Sequence, residues 1–97
     1  MKITVKYDRK DFFGGSAYTE DKKVSSTLGD AKKAFLFLGK NHDVAVQFDD
    51  SIVYYWDSMK EFENKVITVR KYEGWNSSYD EKISFQKAKN EVYNSFK

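Results

Sequence analysis

The chain of 97 residues contains no cysteine and no proline, and the absence of cysteine limits its chemistry most. It excludes disulfide bonds within the chain, thiolate metal sites and cysteine nucleophiles. No stretch approaches the roughly 18 consecutive apolar residues of a membrane-spanning helix. The first residues alternate polar and apolar side chains, whereas a signal peptide carries an apolar block. We therefore expect a cytoplasmic protein that does not enter a membrane.

The chain also lacks a large excess of charge of either sign. It carries 17 Lys and Arg residues against 15 Asp and Glu residues, a formal net charge of +2. Apolar residues make up 40% of the sequence and charged residues 33%, as is typical of a folded globular protein. A chain of this length can bury one modest core, so we predict one domain over residues 1–97.

The motifs that mark common enzyme classes are missing. Gly14-Gly15 matches neither a dinucleotide-binding loop nor a phosphate-binding loop of NTPases, and the acidic residues lack the ligand spacing of an EF-hand. The one histidine, His42, would need an orienting carboxylate to act as a general base. The adjacent Asp43 would point to the opposite face of a strand, so we interpret His42 as a surface loop residue. The sequence predicts a non-enzymatic protein with no cofactor and no metal.

The N-terminal part of the chain predicts β-structure. Residues 2–8 alternate apolar and polar side chains, the pattern of a strand with one buried face. Two interpretations of residues 9–25 remain open. Gly14-Gly15 could turn a hairpin whose second strand includes residues 17–19, or the segment could be an ordered loop. The hairpin is slightly favoured.

A helix is predicted over residues 27–39. Thr27 and Asp30 resemble a capping box at its start, and Gly39 occupies the place of a C-terminal cap. Apolar residues at spacings of three and four form one stripe along it: Leu28, Ala31, Phe35 and Leu38.

Residues 43–57 predict a β-hairpin whose second strand lies in the middle of a sheet. Ser58 and Glu61 form a capping box for about one helical turn, and residues 65–72 alternate as a further strand.

A C-terminal amphipathic helix is predicted over residues 79–96, with Ser78 and Glu81 as its capping box. The order of elements predicts an α+β fold: an antiparallel sheet of about four strands with two amphipathic helices packed on one face.

Aromatic residues exceed what so small a core needs. They make up 18% of the chain, and the rings left outside the predicted core include Phe12, Phe13, Tyr18, Tyr55, Tyr72, Trp75 and Tyr79. Tyr and Trp are concentrated at interfaces because they bury a large area and keep a polar group. We therefore predict a partner-binding surface from Tyr55, Tyr72, Trp75 and Tyr79. It would bind another protein, or a second copy of this chain in a homodimer.

Two further sets of residues are candidates for binding. Asp49 and Asp50, in the predicted hairpin turn, could engage a basic groove of a partner. Basic residues of the first strand and just beyond it could instead contact nucleic-acid phosphates, and they form the alternative site: Lys2, Lys6, Arg9 and Lys10.

In size and composition the chain resembles the anti-CRISPR proteins, small inhibitors encoded by phages and mobile elements. It shares with them one predicted domain, the absence of cysteine, abundant Lys, Tyr and Phe, and no catalytic motif. The resemblance implies a phage-encoded inhibitor in the cytoplasm of a bacterial host, acting on a host protein or nucleoprotein such as a Cas nuclease. Many such inhibitors are strongly acidic and imitate nucleic acid. Because this chain has a net charge of +2, we expect occlusion of a protein surface or a blocked domain movement instead.

Overall fold

Six strands of the described residues form one antiparallel sheet in the order β2-β1-β3-β4-β5-β6. The structure, a computed structural model, describes residues 2–9, 18–24, 26–49, 51–74 and 76–96, with the backbone alone for residues 6–9 and 18–24. The strands are β1 Ile3–Arg9, β2 Tyr18–Val24, β3 Val44–Phe48, β4 Ile52–Tyr55, β5 Val66–Tyr72 and β6 Ser78–Ser84; the helices are α1 Leu28–Lys40, α2 Met59–Asn64 and α3 Phe85–Asn94. The predicted α+β class with an antiparallel sheet is confirmed. The described residues form six strands where about four were predicted, and the helical turn predicted after Ser58 is the short helix α2.

The hairpin interpretation of the N-terminal segment is confirmed by the pairing of β1 with β2. The antiparallel register runs from Ile3 opposite Val24 to Arg9 opposite Tyr18. The second strand is therefore longer than the three residues expected around Tyr18. Gly14 and Gly15 of the predicted turn lie outside the described residues.

Helix α1 begins as predicted but ends later. The Thr27 side chain accepts a hydrogen bond from the Asp30 N–H at 3.2 Å, which caps the first turn. The prediction that Gly39 is the C-terminal cap is wrong, because the helix continues to Lys40 and its cap is Asn41. A Cβ on Gly39 would lie 3.5 Å from the Phe85 ring, an ordinary van der Waals distance, so this position marks where α1 contacts α3.

The C-terminal helix also differs from the prediction, which placed its start near Ser78. Residues 78–84 form strand β6 instead, paired with β5 from Val66 opposite Ser84 to Tyr72 opposite Ser78. The cap of α3 is Ser84, whose hydroxyl accepts from the Lys87 N–H at 3.1 Å. The charged residues at 80–82 are therefore those of an edge strand with exposed polar side chains. Ile83 is the buried residue of that strand.

The core lies between the sheet and helices α1 and α3, and Phe35 is at its centre. Its ring centroid lies 5.8 to 5.9 Å from four other rings, two of the sheet and two of α3: Phe48, Tyr54, Phe85 and Tyr93. The buried Trp56, just after β4, donates its indole N–H to the Leu38 carbonyl and so ties α1 to the sheet. None of the helices in the described ranges has the length and apolarity needed to cross a membrane.

The position of the α3 cap can be tested with two serines. Ser84→Ala should destabilise the protein by about 1 kcal/mol, because it removes the acceptor for the Lys87 N–H. Ser78→Ala, in the exposed part of β6, should change the free energy of unfolding by less than about 0.5 kcal/mol. Urea unfolding followed by circular dichroism measures both. A larger loss for Ser78→Ala than for Ser84→Ala would support the helix start near residue 79 instead.

Candidate functional site

The face of the sheet opposite α1 and α3, here called the open face, carries a row of polar and aromatic side chains on β4, β5 and β6. The register sets Val53 opposite Arg70 and Tyr55 opposite Thr68, and it continues across β5 to Asp80 and Lys82. The buried Tyr54, Ile67 and Val69 occupy the alternate positions and face the helices. The expectation that Tyr55 points away from the helices is confirmed.

Arg70 is the centre of the open face. Its guanidinium donates two hydrogen bonds to the Asp80 carboxylate, at 2.9 and 3.2 Å, and one to the Tyr55 hydroxyl at 3.0 Å. It also lies 5.4 Å from the centroid of the Tyr55 ring. The hydrogen bond to Asp80 is the main cause that raises the pKa of Arg70, followed by the charge interaction with Tyr55, and the same hydrogen bond lowers the pKa of Asp80. Arg70 is therefore held as a cation by Asp80, beside the Tyr55 ring.

A second cluster covers the end of the open face near α2. The Lys82 ammonium lies 2.5 Å from Glu61 Oε1, donates to Thr68 Oγ1 at 2.5 Å and contacts Asp57 Oδ2 at 3.3 Å. Glu61 also accepts from the Thr68 hydroxyl at 3.0 Å and from the Asp57 N–H at 2.9 Å. Thr68 is fully buried among these contacts, on the face opposite α1 and α3. The cluster therefore joins α2 to β5 and β6.

Burial and hydrogen bonding act in opposite directions on Glu61. Its burial raises its pKa, but the hydrogen bonds from Lys82, the Asp57 backbone and Thr68 outweigh burial and lower the pKa below the usual 4.5. The same contact with Glu61 raises the pKa of Lys82. Both groups are therefore charged near neutral pH, and the pair acts as a fixed support beside the Tyr55 ring.

The predicted binding residues do not all lie on one face. Tyr72 lies on the open face with Tyr55 and is 43% exposed. Tyr79 is 45% exposed but pairs in register with Lys71, on the helix side of the sheet, and the Lys71 ammonium lies 5.9 Å from its ring centroid. Trp75 lies outside the described residues. The structure thus brings together Tyr55 and Tyr72 and separates Tyr79 from them.

The predicted acidic site has a structural contact of its own. Asp49, in the turn between β3 and β4, has a positive φ of 54° and is exposed. Its carboxylate accepts from the Lys2 N–H at 2.7 Å, and its own N–H donates to the Lys2 carbonyl at 2.6 Å. Asp49 therefore closes the end of the β1–β3 pairing. Asp50 lies outside the described residues.

The alternative nucleic-acid site is described only in part. Lys2 is exposed beside Asp49. The backbone register places Lys6 opposite Ala45 and Arg9 opposite Tyr18, and Lys10 lies outside the described residues. The contribution of these four residues to nucleic-acid binding stays a prediction.

His42 contacts the carboxylate that sequence reasoning had set aside. His42 Nε2 lies 3.2 Å from Asp43 Oδ1, and the imidazole centroid lies 6.0 Å from the Phe62 ring. The argument that neighbouring residues point to opposite faces of a strand was wrong here, because both residues precede β3 in a turn. His42 is partly exposed, and its described contacts are with Asp43 and Phe62.

Sequence reasoning missed Arg70, Asp80 and Lys82 as members of this site. The signal that could have found them is the basic pair at residues 70–71 and the complementary acidic pair at residues 80–81. It fits cross-strand pairing of Arg70 with Asp80, and of Lys71 with Glu81 at 3.3 Å. Assigning residues 79–96 to a helix concealed that pattern.

No match to a family model, a curated protein or a solved structure was found for this chain.

The Glu61 cluster predicts a pH-dependent stability. Because the folded-state pKa of Glu61 is lowered, its ionised form stabilises the protein fully above the unfolded-state pKa of about 4.5, and this contribution is lost as the pH falls through the folded-state pKa. Glu61→Gln should cost about 1–3 kcal/mol near neutral pH, since it replaces charge-assisted hydrogen bonds by neutral ones. The difference from the unchanged protein should shrink below about pH 4.5.

Urea unfolding at a series of pH values measures this difference. Glu63→Gln, on the exposed side of the same helix, is the matched control and should change the unfolding free energy by less than about 0.5 kcal/mol at any pH. An equal effect of both variants would mean that the lost charge, and not the cluster, determines stability.

Proposed function

We propose that this is a non-enzymatic binding protein that docks on a partner protein through its open face. The observation that carries the proposal is the row Tyr55–Arg70–Tyr72 on one face of β4 and β5. Tyr72 is largely exposed, Tyr55 and Arg70 are half-buried, and Arg70 is held in place by Asp80. Tyr and Arg are the residue types that, with Trp, most often provide the binding energy of protein interfaces.

The central side chain of the row, Arg70, is already fixed in one conformation before a partner binds. Arg70 makes both hydrogen bonds of a bidentate pair with Asp80 and a further one with Tyr55. A side chain already fixed in one conformation loses less entropy when a partner covers it, so each contact retains more of its energy. The planar guanidinium and the two phenol rings would meet a partner surface with aliphatic or aromatic groups and a few hydrogen-bond acceptors.

The resemblance to anti-CRISPR proteins favours a host defence nuclease as the partner. Two carboxylates in the described part of the open face are engaged within the chain, Asp80 by Arg70 and Glu61 by Lys82. Carboxylates paired in this way do not provide the free acidic surface that an imitation of nucleic acid requires. We therefore propose a phage-encoded inhibitor that covers a protein surface of a Cas nuclease.

The proposal can be tested with purified, guide-loaded Cas nucleases cleaving a target DNA. An equimolar amount of the protein should slow cleavage by one of them. Tyr55→Ala combined with Tyr72→Ala should restore cleavage, because removing two interface tyrosines costs about 2 kcal/mol or more of binding free energy. Surface plasmon resonance on the same nuclease should show a dissociation constant raised by about 30-fold or more.

Tyr79→Ala is the matched control, since Tyr79 is as exposed as Tyr72 but lies on the helix side of the sheet. It should leave inhibition unchanged. Loss of inhibition with Tyr79→Ala alone would place the interface elsewhere, and inhibition of no nuclease would refute the nuclease as partner. A dimer in sedimentation velocity that dissociates on Tyr72→Ala would identify the open face as a homodimer interface instead.

A further inference from the structure

The groove between α1 and α3 is lined by lysines and aromatic rings and lies on the side of the sheet opposite the proposed protein-binding face. The helices run antiparallel, because Gly39 near the end of α1 meets Phe85 at the start of α3. One cleft of about 290 Å³ opens beside this contact. A second, of about 360 Å³, lies towards Leu28 and Asn94. Lys32 and Tyr93 line both clefts. The two clefts therefore form one continuous groove, here called the helix groove.

Four lysines surround the first cleft: Lys32, Lys40, Lys65 and Lys89. No carboxylate lines either cleft within the described part of the chain. Three of these lysines, Lys32, Lys65 and Lys89, contact rings instead. Lys65 Nζ lies 4.8 Å from the Phe62 centroid, and Lys89 Nζ lies 5.5 Å from the Phe85 centroid. These contacts hold ammonium groups over hydrophobic surface without neutralising them.

Three cations of strands β5 and β6 differ from the groove lysines in that they are paired with carboxylates. Arg70, Lys71 and Lys82 each form an ion pair with a carboxylate of β6, α2 or the residues before α2. For the four groove lysines, no ion pair is found among the residues that the structure describes. A net charge of +2 for the whole chain therefore conceals a local excess of positive charge along the helix groove.

The shape of the groove favours a chain-like anion. Helix α1 has 13 residues, so the groove follows it for about 20 Å at 1.5 Å per residue. Half-buried Phe85 and Tyr93 line its floor, and the exposed apolar side chain of Leu36 lies at its rim. Positive charge that follows a backbone, combined with aromatic rings that contact bases, is the arrangement by which proteins hold single strands without sequence preference.

We propose that the helix groove binds single-stranded nucleic acid, with Lys32, Lys40, Lys65 and Lys89 on its phosphates. Lysine is suited to this role as a point charge that does not select a base sequence. The site shares no residue with the open face, and it differs from the Lys2, Lys6, Arg9 and Lys10 site suggested by sequence.

The probe for the test is a fluorescently labelled strand of about 12 thymidines, with binding measured by anisotropy over a range of salt concentrations. Four phosphate contacts predict a slope of log K against log salt near −2.8, and Lys32→Gln combined with Lys89→Gln should reduce its magnitude by about 1.4. At low salt this double variant should bind about tenfold or more weakly.

Lys33→Gln combined with Lys87→Gln is the matched control. It removes the same charge from the same two helices at exposed positions outside the groove lining. Thermal unfolding verifies that both variants are folded. The control should bind within about twofold of the unchanged protein.

Three results would overturn the proposal. One is no binding of the thymidine strand at low salt. The second is equal weakening by the groove variant and the control, which would indicate general charge attraction. The third is tighter binding of a polyglutamate peptide than of the strand, which would make the groove a site for an acidic protein.

Discussion

The packing of Phe35 against four other rings is the contact on which the rest of the structure depends. It joins α1 to β3, β4 and α3 in a single aromatic cluster. A chain of 97 residues has enough apolar surface for one such layer, and the cluster uses it on one side of the sheet. The other side of β4, β5 and β6 is therefore stabilised by hydrogen bonds and ion pairs, and this difference between the faces leaves Tyr55, Arg70 and Tyr72 accessible.

The limited apolar surface of the chain also explains how charged side chains are distributed over the sheet and the helices. Edge strand β6 supplies Asp80, Glu81 and Lys82, and each pairs with a partner on β5 or α2. Such pairing protects an edge from association with another strand, because charged side chains disfavour it. Three of the four groove lysines, Lys32, Lys65 and Lys89, lie over rings, and no carboxylate among the described residues lines the two clefts. The ion pairs therefore neutralise cations of the sheet, whereas the groove lysines form none within the described part of the chain.

Local signals in the sequence were reliable where a few neighbouring residues determine the structure. The Ser58–Glu61 capping box is an example, since the Glu61 N–H donates to the Ser58 hydroxyl at 3.2 Å. The Ser78–Glu81 pair has the same spacing and failed, because Glu81 pairs across the sheet with Lys71. A capping box cannot reveal that a strand ten residues earlier offers a better partner. Gly39 shows the same limit: the local pattern predicts a helix cap, whereas the residue lies within α1 and faces Phe85, which is distant in sequence.

The candidate surfaces were predictable to the extent that they depend on strand alternation. Alternation placed Tyr55 opposite in direction to Tyr54. The face that Tyr79 occupies depends on the pairing of β5 with β6, and the sequence pattern had assigned β6 to a helix. The helix groove depends on how α1 lies against α3, which no local pattern contains. The two proposed sites lie on opposite sides of one sheet, with the Phe35 cluster between the sheet and α1. Substitutions in one should therefore leave the other intact, and a partner that covers both would have to present a protein surface and a nucleic-acid strand together, as a nucleoprotein does.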